Sequence, residues 1–322
     1  LVGLFTDLPA ETVDTLGLGS LRVPYRDELI LAYEARVARK TSLELSYVRK
    51  DFHDRIEDTC NNNTWAWGDG DPPSLDDPST WTDEGACTGS VRANIAGLER
   101  SYEAFILRAA SRARPWFHLL ASYTYSRTRG NSESSSPYTG FGTGIWAFPG
   151  GDFDYFPTNF VNLDGYLGDD YRHFIKLNGY LQFPLDFTLG VGAFYRSGGA
   201  LNVSADCFDM MYPEESGLAE LERLGIDYDD MLQYCQSASS GGIFLEPQGS
   251  RRGADLWQLD LQLSKGFRIG AVRLVGIVSV FNAFSEEAPT EFVQDPFDRQ
   301  GWGTPHGWQD PRRWEVGLRL EF

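Results

Sequence analysis

The sequence predicts an all-β fold: an antiparallel, up-and-down transmembrane β-barrel, about nine strands of it, with short helices in one external loop. Three observations predict it. Apolar and polar residues alternate over segments of ten residues or so. The segments come in pairs joined by very short turns, and long polar loops separate the pairs. The last segment, Trp314-Glu315-Val316-Gly317-Leu318-Arg319-Leu320-Glu321-Phe322, is apolar on one side, charged on the other, and ends on an aromatic residue. Successive strand side chains point to opposite faces. Trp314, Val316, Leu318, Leu320 and Phe322 therefore share one face, and Arg313, Glu315, Gly317, Arg319 and Glu321 the other.

The composition agrees. Among 322 residues, 42% are hydrophobic and 23% charged, which suits neither a disordered chain nor a helical membrane protein. No run of roughly 18 apolar residues exists, so no transmembrane helix is expected; a barrel strand needs only about 9–11 residues of alternating character. Aromatics at 14% and 34 glycines fit aromatic girdles and long loops. A net charge of −18 argues against a nucleic-acid partner, which needs basic stripes. Leu1 is followed by neither a basic nor an apolar leader region, and the expectation is a C-terminal piece of a longer secreted chain.

In chain order, residues 1–22 lack clear alternation and are read as an external loop or incomplete strand. Asp27 to Val37 places Leu29, Leu31, Tyr33, Ala35 and Val37 on one face, and Ser42 to Asp54 continues the row with Leu43, Leu45 and Tyr47. An acidic loop from Glu57 to Asn94 follows. Leu98 to Ala113, whose faces the pattern does not settle, is hinged at Arg114-Pro115 to Trp116 to Thr128, where Phe117, Leu119, Ala121, Tyr123 and Tyr125 alternate with polar residues. After a loop from Gly130 to Asp170, Tyr171 to Phe183 turns through Pro184-Leu185-Asp186 into Phe187 to Leu201. The loop Val203 to Arg252 precedes Ala254 to Phe267, where Trp257, Leu259, Leu261 and Leu263 alternate with Gln258, Asp260, Gln262 and Ser264. Val272 to Phe284 runs back, and the loop Ser285 to Pro311 leads to the terminal strand.

A charged group in hydrocarbon costs several kcal/mol at mid-depth, so the Leu, Val and Tyr rows must face lipid and the polar rows a lumen. A soluble sandwich would invert that assignment. Nine strands cannot alone close an even-numbered antiparallel barrel, a second reason to expect further strands upstream.

Within Glu214 to Gln236, Leu218, Leu221, Leu224, Tyr228, Met231 and Leu232 recur at helical spacing, with Pro213 and Ser216 as start signals and Gly225 as a break. One or two short amphipathic helices are expected there, packed against the barrel mouth. Cys60, Cys87, Cys207 and Cys235 lie two by two in long loops, which fits two disulfides in an oxidising compartment. Three connectivities are possible, of which the local one, Cys60–Cys87 with Cys207–Cys235, is expected. Their spacing does not suit zinc.

The chain resembles the C-terminal half of a TonB-dependent outer-membrane receptor, nearest the Oar-like (OmpA-related) subgroup, over about residues 23–322. The resemblance rests on Asp169-Asp170-Tyr171-Arg172-His173, Tyr195-Arg196-Ser197-Gly198-Gly199, Asp255-Leu256-Trp257-Gln258-Leu259-Asp260, Val280-Phe281-Asn282-Ala283-Phe284 and the terminal strand. The family implies a 22-stranded barrel around a plug, of which these nine strands would be the last, in the outer membrane of a Gram-negative bacterium. It further implies uptake of a scarce small ligand, and a TonB complex engaged through an N-terminal region that this sequence lacks. Trp314, Gly317, Leu320 and Phe322 would carry the insertion signal read by the barrel-assembly machinery, and outer-membrane lipid and lipopolysaccharide would surround the wall.

Candidate ligand-binding residues are the loop tryptophans Trp65, Trp67, Trp81, Trp302 and Trp308, whose rings could stack on a sugar or aromatic chelate. Asp69, Asp71, Asp76 and Asp77 could hold Ca²⁺, although their spacing is not that of an EF-hand; no other cofactor is expected. The Asp169–His173 group reads as a salt-bridge cluster at the rim, and Asn282 as an anchor of a strand end. Two alternatives remain: a passive porin or secretion conduit, and a barrel hydrolase. With only His53, His118, His173 and His306 available, no serine or carboxylate is convincingly placed for hydrolysis, and no enzyme activity is expected.

Overall fold

The computed structural model describes residues 21–60, 74–75, 90–95, 97–132, 156–235, 241–270 and 272–322. Among the described residues nine long strands form one antiparallel meander: β1 (Tyr25–Ala38), β2 (Thr41–His53), β5 (Arg100–Arg114), β6 (Phe117–Gly130), β8 (His173–Phe183), β9 (Phe187–Arg196), β14 (Leu256–Ile269), β15 (Val272–Phe281) and β18 (Arg313–Glu321). Each pairs with the next in that order, and among the described residues the sheet is open, with β1 and β18 as its edges.

The short turns are as tight as the sequence implies. Ala38 faces Thr41, Arg114 faces Phe117 and Ile269 faces Val272, so these hairpins turn on two residues. Between β8 and β9, Leu185 and Asp186 both take positive φ, 65° and 62°. That is the sign pattern of a type I′ turn, whose twist matches that of the flanking strands.

The register carries the apolar rows across the sheet. Tyr33, Leu45, Leu107, Tyr123, Ile175, Tyr195 and Trp257 are successive cross-strand partners. Val191, Leu261, Val280 and Trp314 continue the wall at its other end. The opposite face is polar: Glu34, Glu44, Arg108, Ser122 and Lys176 are likewise partners. On it Arg108 donates to Glu44 at 2.8 Å, Ser46 donates to Glu44 at 2.7 Å, and Gln262 donates to Ser279 at 3.1 Å. The faces of β5 are settled here: Phe105 and Leu107 join the apolar wall and Arg108 the polar face.

The long strands enclose little core of their own. Leu45 is 53% and Val316 81% exposed. Buried apolar residues gather instead in the loops at the long-loop end, where short elements fold into a cap. These are β3 (Ile56–Cys60) paired with β4 (Ser90–Asn94), β7 (Gly165–Tyr166) on the end of β6, β10 (Ala200–Leu201) with β13 (Arg251–Arg252), β11 (Ser204–Asp206) with β12 (Gly242–Phe244), and β16 (Pro289–Phe292) with β17 (Pro305–Trp308).

Among the described residues three short helices lie between β11 and β12: α1 (Cys207–Met211), α2 (Glu215–Leu224) and α3 (Tyr228–Leu232). Asp206 caps α1 by accepting from the Phe208 amide, and Asp227 caps α3 through the amides of Asp229 and Asp230. Gly225, at φ 79°, ends α2 in the left-handed conformation that glycine adopts without penalty. The expected helices at 214–236 are present, and α1 is an additional one. The apolar stripe does not seek the barrel mouth. Leu221, Leu224, Tyr228, Met231 and Leu232 close on a core inside the cap with Val203, Met210, Ile243 and Leu245.

Two strands end earlier than the alternation implied. After Arg196 the chain swings away, and the Gly198 amide is held by Asp255 at 3.0 Å. After Phe281, Asn282 takes φ 48° and turns the backbone out of the sheet.

Candidate ligand-capture surface

A buried carboxylate ties the cap to the wall. Asp170 is fully buried where β6, β7 and the approach to β8 converge. It accepts from the Thr128 amide at 2.6 Å and pairs with Arg172 at 2.8 Å and Arg252 at 2.6 Å. A buried anion with two guanidiniums and a backbone donor has its lone pairs satisfied, the condition for tolerating charge away from water. The Tyr166 ring is bracketed by Arg172, Arg129 and Arg252 at 4.1, 4.9 and 5.2 Å. A hydrogen bond from Arg172, aided by the charges of Arg172, Arg129 and Arg127, holds its phenol below the usual tyrosine range. Asp169 turns the other way, to Arg100 at 2.5 Å. His173 shares a hydrogen bond with the Tyr123 hydroxyl at 2.9 Å on the apolar face. The Asp169–His173 group is thus a structural joint, as its sequence suggested.

Asn282 is the corresponding anchor for the next loop. Its amide nitrogen donates to the carbonyls of Glu286 and Asp310 at 2.8 and 2.9 Å, and its oxygen accepts from the Glu286 amide at 3.0 Å. From there the segment around β16 and β17 reaches over and clasps the helical loop. Gln294 accepts from Asn202 and Ser204, and the Trp302 indole donates to the Asn202 carbonyl at 2.8 Å. The Phe297 ring lies so close to Gly217 of α2 that a Cβ there would meet its Cδ1 at 2.0 Å.

An acidic seam runs beneath this clasp. Asp295 is half-buried; burial foremost, then Asp209, Asp298 and Asp206, push its carboxyl up to about 6 against the Phe297 amide that favours the anion. Among the described residues no cation pairs with any of these four carboxylates.

The predicted site residues fare unevenly. Trp302 is half-buried, with its indole nitrogen occupied and its ring against the cap core. Trp308, on β17, stands exposed. Trp65, Trp67 and Trp81 lie outside the described residues, as do Asp69, Asp71, Asp76 and Asp77. Cys207 and Cys235 are disulfide-bonded to each other across 28 residues, as expected, pinning α1 to the end of α3. Cys60 is also disulfide-bonded, while Cys87 lies outside the described residues. Trp314, Leu320 and Phe322 are exposed on the apolar face of β18, and Gly317 sits opposite Ile277 on its charged face. Among the described residues no three His, Cys, Asp or Glu side chains converge as a metal site. Arg252, Asn202 and Gln294 hold the cap together, and no pattern in the sequence singled them out.

A transmembrane-type β-barrel wall bearing a folded cap at its long-loop end is the class that this architecture defines, and no helix among the described residues could span a membrane. The outer membrane transporter YddB from Escherichia coli has a similar fold: the match covers 92% of this chain and 32% of that one, at TM-score 0.53 and 12% identity. Two further matches are the ferripyoverdine receptor of the outer membrane of Pseudomonas aeruginosa (13% identity, 92% and 27% coverage, TM-score 0.45) and the siderophore receptor PiuA from Acinetobacter baumannii (10% identity, 92% and 28% coverage, TM-score 0.46). The chain thus spans about a third or less of each of these proteins. No family model and no curated protein matches the sequence.

Proposed function

We propose that residues 23–322 form part of the barrel wall and the external ligand-capture loops of an outer-membrane transport receptor, of the TonB-dependent kind that the sequence resembles. The carrying observation is the asymmetry of the meander: two-residue turns at one end and an interlocked, disulfide-pinned cap at the other. Short turns inside and long loops outside is the layout of outer-membrane barrels. The fold shared with the YddB transporter supports the reading.

Both sheet edges would leave a row of backbone donors and acceptors unpaired in hydrocarbon, where each costs several kcal/mol. In this reading the rest of the wall pairs with β1 and β18. The polar face of the sheet then lines the lumen, and the cap surface around the exposed Trp308 meets a small, scarce ligand before transport.

The test is ligand binding and uptake by the full-length receptor in a Gram-negative host, with and without TonB. Quenching of tryptophan fluorescence by one of a panel of ferric chelates, cobalamin and oligosaccharides, with uptake that stops when TonB is deleted, supports the reading. Uptake indifferent to TonB would favour a passive conduit and overturn it.

A further inference from the structure

We propose that Arg127 and Arg129, on the lipid-facing side of β6 at its long-loop end, dock the phosphate groups of an anionic lipid in the surrounding leaflet. Side-chain alternation puts both on the face shared by Tyr123 and Tyr125, immediately above them along the strand. Both guanidiniums are exposed and backed by aromatic rings. Arg127 donates from Nε and Nη2 to the Tyr125 hydroxyl at 3.2 and 2.9 Å and lies over its ring at 5.6 Å. Arg129 lies over Tyr166 at 4.9 Å.

The nearby carboxylates are committed elsewhere. Glu103, the register partner of Arg127, receives Arg49 at 3.4 Å and the Tyr47 hydroxyl at 3.2 Å. Asp51 pairs with Arg49 at 2.8 Å, Asp169 with Arg100, and Asp170 with Arg172 and Arg252. Among the described residues, no carboxylate forms an ion pair with Arg127 or Arg129. Near Tyr166, Arg172 and Arg252 are paired with Asp170, while the guanidiniums of Arg127 and Arg129 keep their charge without an ion-pair partner among the described residues. In a chain of net charge −18 this is a concentrated cationic spot on an acidic molecule.

Its position selects a lipid over a free anion. Arg127 and Arg129 are both exposed, so a small phosphate gains no enclosure there. An acyl chain lying along Phe105, Leu107 and Ile175 has its headgroup delivered to the arginines, whose planar forks match phosphate oxygens. Basic residues at a membrane surface bind anionic headgroups by this electrostatic attraction.

The inference rests on the outer-membrane reading, and its test separates the two. Full-length protein is inserted into phosphatidylcholine vesicles doped with either bis-phosphorylated or dephosphorylated lipid A, and lipid retained after detergent extraction is quantified by mass spectrometry. The expected result is a preference for the phosphorylated lipid that falls about tenfold in R127Q/R129Q, is partly restored in R127K/R129K, and is unchanged in R39Q at the opposite end of the wall. Inserted protein that retains both lipids equally, or a double glutamine variant that retains as much as wild type, overturns the site. Displacement by millimolar inorganic phosphate overturns the lipid assignment in favour of a small-anion site. Failure of wild-type protein to insert at all refutes the outer-membrane reading itself.

Discussion

The wall and the cap of this molecule are held together by opposite means. The wall has long strands, continuous register and exposed leucines; its apolar side chains need a solvent of hydrocarbon. The cap has strands of two to five residues and helices of five to ten, yet Val203, Cys207, Met210 and Ile243 are wholly buried within it. The difference teaches where each region's stability resides: in backbone pairing and lipid contact for the wall, in a small water-excluding core with polar clasps for the cap. The same substitution should therefore act differently in the two.

The joint between the regions should be the most sensitive point. Asp170→Ala leaves Arg172 and Arg252 without their buried counter-ion, a change costing about 3–5 kcal/mol when such a pair is broken. The expected outcome is a cap cleaved rapidly by trypsin on a wall that keeps its β-sheet circular dichroism. Next, Leu221→Ala opens a cavity in the cap core and should cost about 2–5 kcal/mol, lowering the cap's melting temperature. Leu45→Ala, facing lipid, should leave the melting temperature nearly unchanged, because lipid fills the space. Leu45→Arg reverses that, costing about 2–4 kcal/mol at mid-depth and reducing insertion into vesicles. Equal penalties for the two alanine variants would break the comparison.

How much of this was legible in the sequence divides along the same line. The nine long strands were, because one alternating period runs through each. The exception is β5, where Ala104-Phe105-Ile106-Leu107 places apolar residues on both faces and blurs the period. The cap was legible where a helix imposed its own period, at Leu221, Leu224 and Met231, and at the local cysteine pair Cys207 and Cys235. Strands such as β10 and β13 are too short to show alternation. The partners of Asp170 and Trp302 are fixed by tertiary folding: Arg252 is 82 residues from Asp170, and Asn202 is 100 residues from Trp302. A candidate ligand surface built from such contacts cannot be read from local pattern. Trp302 shows the cost, since in sequence it looked as available as Trp308.

A finer effect concerns the clasp. The Asp295 carboxyl is raised to about 6 in the folded clasp, above its ordinary value. A carboxyl raised on folding contributes stability that is fully present below its unfolded value and is lost as pH rises through the folded one. The cap should therefore melt at progressively lower temperature as pH rises from about 4 to about 6. Asp295→Asn should flatten that dependence and raise the melting temperature at pH 7. Gly217→Ala, which displaces Phe297, should loosen the clasp at every pH. A pH profile unchanged by Asp295→Asn would remove the acidic seam from the account.

The central claim is that the sheet spans an outer membrane with its cap outside. The most direct measurement is single-site labelling of the full-length protein in intact Gram-negative cells with a membrane-impermeant maleimide. Glu222→Cys on α2 should label in intact cells. Arg39→Cys, in the short turn between β1 and β2, should label only after the outer membrane is permeabilised. Labelling of Arg39→Cys in intact cells with Glu222→Cys protected, or labelling of both or neither without regard to the membrane, would contradict the account.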